Sequence, residues 1–116
     1  MPDSPDRRAF GPFVADLSKE LLWREEELVR VPRRTFQVLA LLVRHAGAVL
    51  EKREIFDAVW GTTVVEENTL ARHIATLRRI LDDGPDHKYI ATVPGWGYRF
   101  VAEVVDAGAT TPLVEG

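Results

Sequence analysis

Between positions 68 and 81 the chain reads NTLARHIATLRRIL, and no acidic residue interrupts it. Arg72, Arg78 and Arg79 supply guanidinium forks, His73 a ring nitrogen, and Asn68, Thr69 and Thr76 amide and hydroxyl groups. On a helical projection Leu70, Ile74, Leu77 and Leu81 fall within about 60° of one another, a narrow apolar stripe. Asn68, Arg72, Ala75, Thr76 and Arg79 project from the opposite side, flanked by Thr69 and His73. One face asks to be buried, and the other presents hydrogen-bond donors with positive charge. A major groove about 12 Å wide admits such a helix. Arg can donate two bonds to guanine there, while Asn and Thr suit adenine edges, phosphates or the thymine methyl. A solvated charged helix face has the same pattern, so the surroundings of the segment must decide.

The other chemistry-bearing residues form no constellation. His45, His73 and His87 are far apart in sequence, with no i, i+4 pair to grip a metal. Asp82, Asp83 and Asp86 lack the loop spacing and closing Glu of a calcium site, and read as turn and capping residues. Glu51, Glu54 and Asp57 stand beside Lys52 and Arg53, a solvated charged face. The chain has no Cys, which removes disulfides, Cys-ligated zinc, iron–sulfur clusters and a thiol nucleophile. Neither a Gly-rich phosphate loop nor a Ser/His/Asp arrangement is present. The residues predict no enzyme, no metal and no cofactor.

Charge at first speaks against nucleic acid. The net charge is −3, from 15 basic and 18 acidic residues in 116. The distribution points the other way, because the charge is segregated. Positions 100–116 carry Glu103, Asp106 and Glu115 and no base, whereas 68–81 carry bases and no acid. A local basic patch can meet phosphate on a protein that is acidic overall. The longest apolar run, 38–43, is far short of the roughly 18 residues that span a bilayer. The first ten residues, MPDSPDRRAF, lack the apolar core of a signal peptide. A cytoplasmic location is expected.

The length suits one domain, with a Pro-rich polar leader over 1–9 and a small-residue linker or tail over 105–116. From Phe10 the chain predicts a small antiparallel sheet: an alternating stretch, then strands over 17–23 and 28–31 about an acidic turn. A helix is predicted over 33–46, with Phe36, Leu39, Ala40 and Val43 at helical spacing and Gly47 as its C-cap. A second helix is predicted over 52–60, ended by Gly61 and followed by a loop of Thr62, Thr63, Val64, Val65, Glu66 and Glu67. Asn68 or Glu66 would cap the third helix, 68–81. The chain then turns at 82–86 and forms a hairpin, 89–101, about Pro94-Gly95-Trp96-Gly97. Trp60 reads as core, while Trp96, between two glycines, reads as exposed.

Helix, helix, cationic helix and hairpin is the order of a winged helix-turn-helix. The stretches RRTFQVLALLVRHAGAVLEKREIFDAVWG, VVEENTLARHIATLRRIL and YIATVPGWGYRF resemble the OmpR-type winged-helix DNA-binding domain of bacterial transcriptional regulators. The resemblance covers about 10–104, and the order and spacing of the parts make it specific. It implies an α+β fold: a four-stranded N-terminal antiparallel sheet, three helices and a C-terminal β-hairpin wing. It implies sequence-specific binding of double-stranded DNA, with helix 68–81 in the major groove and wing 89–101 on the flanking minor groove or backbone. The contact positions it implies fall on Asn68, Arg72, His73, Thr76, Arg78 and Arg79, with Thr69 beside them, and on Thr92, Trp96 and Tyr98. It further implies that residues 62–67 can engage RNA polymerase, and that such domains pair on tandem or repeated sites, as a dimer on DNA. The domain begins about ten residues from Met1, an arrangement that resembles CadC-like one-component regulators with a sensor or membrane domain beyond residue 116; a single-domain regulator is the other arrangement. The sequence departs from the family at Ala75, Thr76, Pro94 and Trp96, where relatives are often basic. The rival reading is a winged-helix protein–protein interaction module, which the acidic net charge favours.

Overall fold

The computed structural model describes residues 6–107. Its contacts divide the chain into two compact units, one of Met1–Val31 with Glu103–Gly116 and one of Pro32–Ala102.

The first unit is a meander. Strands β1 (Arg7–Phe10), β2 (Phe13–Asp16), β3 (Leu21–Arg24) and β4 (Glu27–Val29) pair antiparallel in succession, and β8 (Val105–Asp106) adds to the free edge of β1. Gly11, at φ 58°, turns the chain between β1 and β2, so the alternation from Phe10 belongs to two strands. The turn between β3 and β4 is tighter than expected, with only Glu25 and Glu26 outside the ladder. Both lie at positive φ, 51° and 82°, which a two-residue hairpin of primed type demands. The strand expected over 17–23 begins only at Leu21. Asp16, fully buried, accepts the Lys19 N–H at 3.0 Å and the Ser18 hydroxyl at 3.3 Å, and so bends residues 17–20 into a turn. Its other oxygen lies 3.5 Å from Arg7 Nε, across the β1–β2 pair.

Two boundaries need correction. Residues 7–9, assigned from sequence to the leader, form most of β1; residues 105 and 106, assigned to the tail, form β8. Neither stretch has apolar alternation of its own. Each is ordered by ladder bonds to its neighbour, which leave no trace in local periodicity. Of the rest of the leader and the tail, the Asp6 carbonyl accepts the Leu17 N–H at 2.9 Å and Ala107 donates its N–H to the Arg7 carbonyl at 3.0 Å, while residues 1–5 and 108–116 lie outside the described residues.

The second unit holds α1 (Arg33–Arg44), β5 (Val49–Glu51), α2 (Lys52–Trp60), α3 (Thr69–Ile80), β6 (Ile90–Val93) and β7 (Gly97–Phe100). Strands β6 and β7 form the hairpin, and β5 joins the far side of β7 to give the order β5-β7-β6. α1 packs against α2, α3 and β7. Phe36, Val38, Leu39, Leu42 and Val43 of α1 are buried together with Ile55, Leu70, Ile74, Leu77, Leu81, Ile90 and Phe100. α1 stops at Arg44, two residues short of expectation, with His45 rather than Gly47 at the cap. Gly47, at φ 89°, instead directs its N–H to the Phe100 carbonyl, 2.9 Å away, at the end of β7. α2 starts in a capping box: the Glu54 carboxylate accepts the Glu51 N–H at 2.8 Å, and the Glu51 side chain caps in return. Two carboxylates read from sequence as a solvated face therefore define a helix start. Among the described residues no helix is long and apolar enough to cross a membrane.

Candidate nucleic-acid interface

The leucine stripe decides how α3 sits. Leu70, Ile74, Leu77 and Leu81 are all buried at 2% exposure or less, which turns Asn68, Ala71, Arg72, Ala75 and Arg79 to solvent. Asn68 occupies the N-cap position, but its side chain makes no capping bond. Backbone angles near φ −82° and ψ 1° are not those of a capping residue. Its amide is exposed with its neighbours, contrary to the capping role expected. Thr76 returns its hydroxyl to the Arg72 carbonyl at 3.0 Å, so its donor is spent inside the helix and its oxygen can still accept. Thr69 is half-buried.

Two residues expected on this surface turn inward. His73 is half-buried, its Nδ1 2.8 Å from the Thr35 hydroxyl of α1 and its ring 5.4 Å from that of Trp60 at the end of α2. Burial, and after it the Arg34 guanidinium, lowers its pKa from the ordinary 6.5 and favours the neutral ring. His73 thus ties the third helix to the other two. Arg78 leaves the exposed face as well. Its Nε and Nη2 donate to the Ile90 carbonyl at 3.2 and 2.9 Å, and Nη2 also donates to the Thr92 hydroxyl at 2.9 Å. The projection put His73 beside the polar face and the resemblance put Arg78 on DNA; each lies at the margin of the apolar stripe, where a neighbouring element decides the direction.

On the wing, Thr92 is exposed while accepting from Arg78. Trp96 stands at the tip, 61% exposed, between Gly95 at φ 80° and Gly97. The wing is fastened to α2, because the Lys52 N–H donates to the Trp96 carbonyl at 3.3 Å. Tyr98, also expected to face DNA, is only 7% exposed, and its ring belongs to the buried side of β7. Residues 62–67 join α2 to α3 at the surface. Val64 is 94% exposed, Val65 is half-buried, and Thr62, Thr63, Glu66 and Glu67 are exposed.

Sequence reasoning missed Ala71 and the particular part played by Asp83. Ala71 carries no polar signal. Asp83 was legible as a turn residue, but not as the buried carboxylate that accepts the Tyr89 and Ile90 N–H groups at 2.8 and 3.1 Å.

A solvent-facing cationic helix, held against two others and followed by a hairpin wing that β5 extends to three strands, is the geometry on which comparison with known proteins bears. The family profile described as "Transcriptional regulatory protein, C terminal" matches residues 25–100. The chain belongs to this family of OmpR/PhoB-type DNA-binding domains. Among its relatives is the transcriptional regulator HilA of Salmonella typhimurium, 38% identical over 112 residues that cover 97% of this chain and 20% of HilA. The transcriptional activator CadC of Escherichia coli is 34% identical over 97 residues, 82% of this chain and 19% of CadC. The chain thus spans about a fifth of these relatives. Among solved structures, the DNA-binding domain of E. coli CadC superposes with a TM-score of 0.75 at 28% identity, covering 89% of this chain and 97% of that one. The RstA DNA-binding domain of Klebsiella pneumoniae, solved in complex with the RstA box, gives 0.73 at 25% identity, covering 82% and 96%. The fold is therefore the winged helix-turn-helix, with a fifth strand, β8, beyond the four expected in the N-terminal sheet.

Proposed function

We propose that this domain binds double-stranded DNA at specific sequences as the DNA-reading part of a bacterial transcriptional regulator. The observation that carries the reading is the acid-free exposed face of α3, with Asn68, Arg72 and Arg79 turned to solvent and their helix locked in place by a buried leucine stripe. In the proposed complex α3 enters the major groove, Arg72 and Arg79 meet guanine edges or phosphates, and Asn68 meets an adenine edge. The β6–β7 wing lies on the flanking minor groove or backbone and offers Trp96 and Thr92. The action is non-covalent throughout.

The regulator's wider partners belong to the same reading. Val64, Glu66 and Glu67 form an exposed apolar and acidic loop suited to RNA polymerase. Tandem or repeated sites would seat two copies side by side as a dimer on DNA, in the cytoplasm. A sensor or membrane domain beyond residue 116 would accord with relatives several times longer than the matched segment.

Selection of duplexes from a random pool, followed by a salt titration on the enriched sequence, tests the proposal. One enriched motif is expected, with log affinity falling linearly in log salt at about −0.9 per phosphate neutralised. If no motif is enriched and binding of every duplex stays negligible at low salt, the protein–protein interaction module becomes the better reading.

A further inference from the structure

β6 is the outer strand of the wing sheet, and Ile90 sits where its ladder needs a neighbour. Ile90 is opposite Phe100 of β7, yet its N–H and carbonyl both find partners elsewhere. The N–H donates to Asp83 Oδ2 at 3.1 Å, and the carbonyl accepts the Arg78 fork at 3.2 and 2.9 Å. Asp83 Oδ1 takes the preceding N–H, of Tyr89, at 2.8 Å. Arg78 and Asp83 also face each other, with Nε 4.0 Å from Oδ2. Arg78, from the last turn of α3, and Asp83, from the turn just beyond it, thus stand in for a neighbouring strand at the edge of β6. The carboxylate is fully buried and the guanidinium side chain 24% exposed, so these bonds are shielded from water. The other strand of the wing is held independently: β7 pairs with β5, and the Trp96 carbonyl is bound by the α2 N–H of Lys52.

We infer that Arg78 and Asp83 are positioning residues that couple the wing to the third helix, so that the two DNA-reading elements act as one rigid body, and that Arg78 works through this link and not through a phosphate of its own. The inference rests on the DNA-binding reading for its consequence, while the link itself belongs to the protein alone. Three of the N–H···O bonds that an Arg can form are already committed to Ile90 and Thr92. A Lys at this position would keep the charge but lose the planar fork.

The link and its consequence separate experimentally. In the free domain, hydrogen exchange is compared for wild type, Arg78→Ala and Arg78→Lys. Both variants are expected to exchange the Tyr89 and Ile90 amides about tenfold faster, with α1 amides unchanged, since they remove the charge-assisted bonds on the Ile90 carbonyl, each worth about that factor or more, and leave the Asp83 carboxylate that holds both amides without the guanidinium it faces. Unchanged wing exchange would overturn the link. Affinity is then measured on two duplexes taken from the selected site, a full one and one shortened to the major-groove segment under α3. Coupling predicts that Arg78→Ala weakens the full duplex about tenfold and hardly affects the short one, with the salt slope of the short duplex unchanged. Arg78→Lys should fail to rescue. An equal loss on both duplexes, rescued by Lys and accompanied by a slope shallower by about 0.9, would make Arg78 a direct phosphate contact and overturn the inference. If wild type itself selects no sequence, the DNA-binding reading fails, while the exchange result still decides the link.

Discussion

Gly97 passes so close to Leu50 that a β-carbon built on it would run into the Leu50 carbonyl oxygen and the backbone beyond it. The contact is backbone on backbone, between β7 and β5, so no rotamer change can relieve it. Gly97→Ala should therefore cost about 1–3 kcal/mol, the usual range for forcing volume into a packed site. A denaturant titration measures the loss. A stability equal to wild type would mean that the wing sheet can shift where the geometry says it cannot.

The two sides of α3 should separate in mutagenesis. Arg72 and Arg79 are exposed, so each Ala variant should keep the wild-type melting temperature and weaken specific binding by about 1–3 kcal/mol. Leu77 is fully buried, and Leu77→Ala should cost about 2–5 kcal/mol of stability. Calorimetry and fluorescence anisotropy on the same three proteins check both halves. Wild-type affinity in Arg72→Ala would show that this face is not the reading face.

Trp96 presents a large indole at the wing tip with most of its surface in water. Its flat face can pack on sugar, and its N–H can donate to a phosphate. Trp96→Ala is expected to weaken DNA binding by about 1–2 kcal/mol and to leave the salt slope unchanged, because no cation is removed. Melting temperature should hardly move. A fall in melting temperature with intact affinity would instead place the ring's role within the hairpin.

His73 makes the domain sensitive to mild acid. Its imidazole is held below its ordinary 6.5 by burial and by Arg34, so the unfolded chain binds the proton more readily than the folded one. The stability it contributes is complete above about pH 6.5 and is lost as pH falls through the folded value. Melting temperature should decline from about pH 7.5 to about pH 5 more steeply in wild type than in His73→Gln, which cannot titrate. Parallel curves for the two proteins would show that His73 carries no such linkage.

Much of this architecture was legible because it is written in side-chain period. The leucine stripe of α3 oriented the helix, and the bounds of α2 were read to the residue, because its apolar spacing and Gly61 are local signals. What escaped was set by partners distant in sequence. Arg7 and Val105 have no strand pattern of their own and are ordered by the ladders of β1 and β8. His73 flanks the polar face on a projection and Arg78 falls at a contact position of the family, and only Thr35, Trp60, Ile90 and Thr92 draw them inward. Asp83 is the clearest case: Asp-Asp-Gly announces a turn, but not which backbone amides a buried carboxylate will collect.

The anchoring of the wing tip on the first residue of α2 bears on what a target site must do. Since the Lys52 N–H holds the Trp96 carbonyl, swinging the tip to follow a groove of varying width would cost that bond, about 1 kcal/mol. In the proposed complex the duplex would then be the softer partner, expected to bend or narrow until it meets both α3 and the wing. Pyrimidine–purine steps deform at low energy and A-tracts are narrow beforehand, so on the proposed binding mode the bases between the segments met by α3 and by the wing should affect affinity without being contacted.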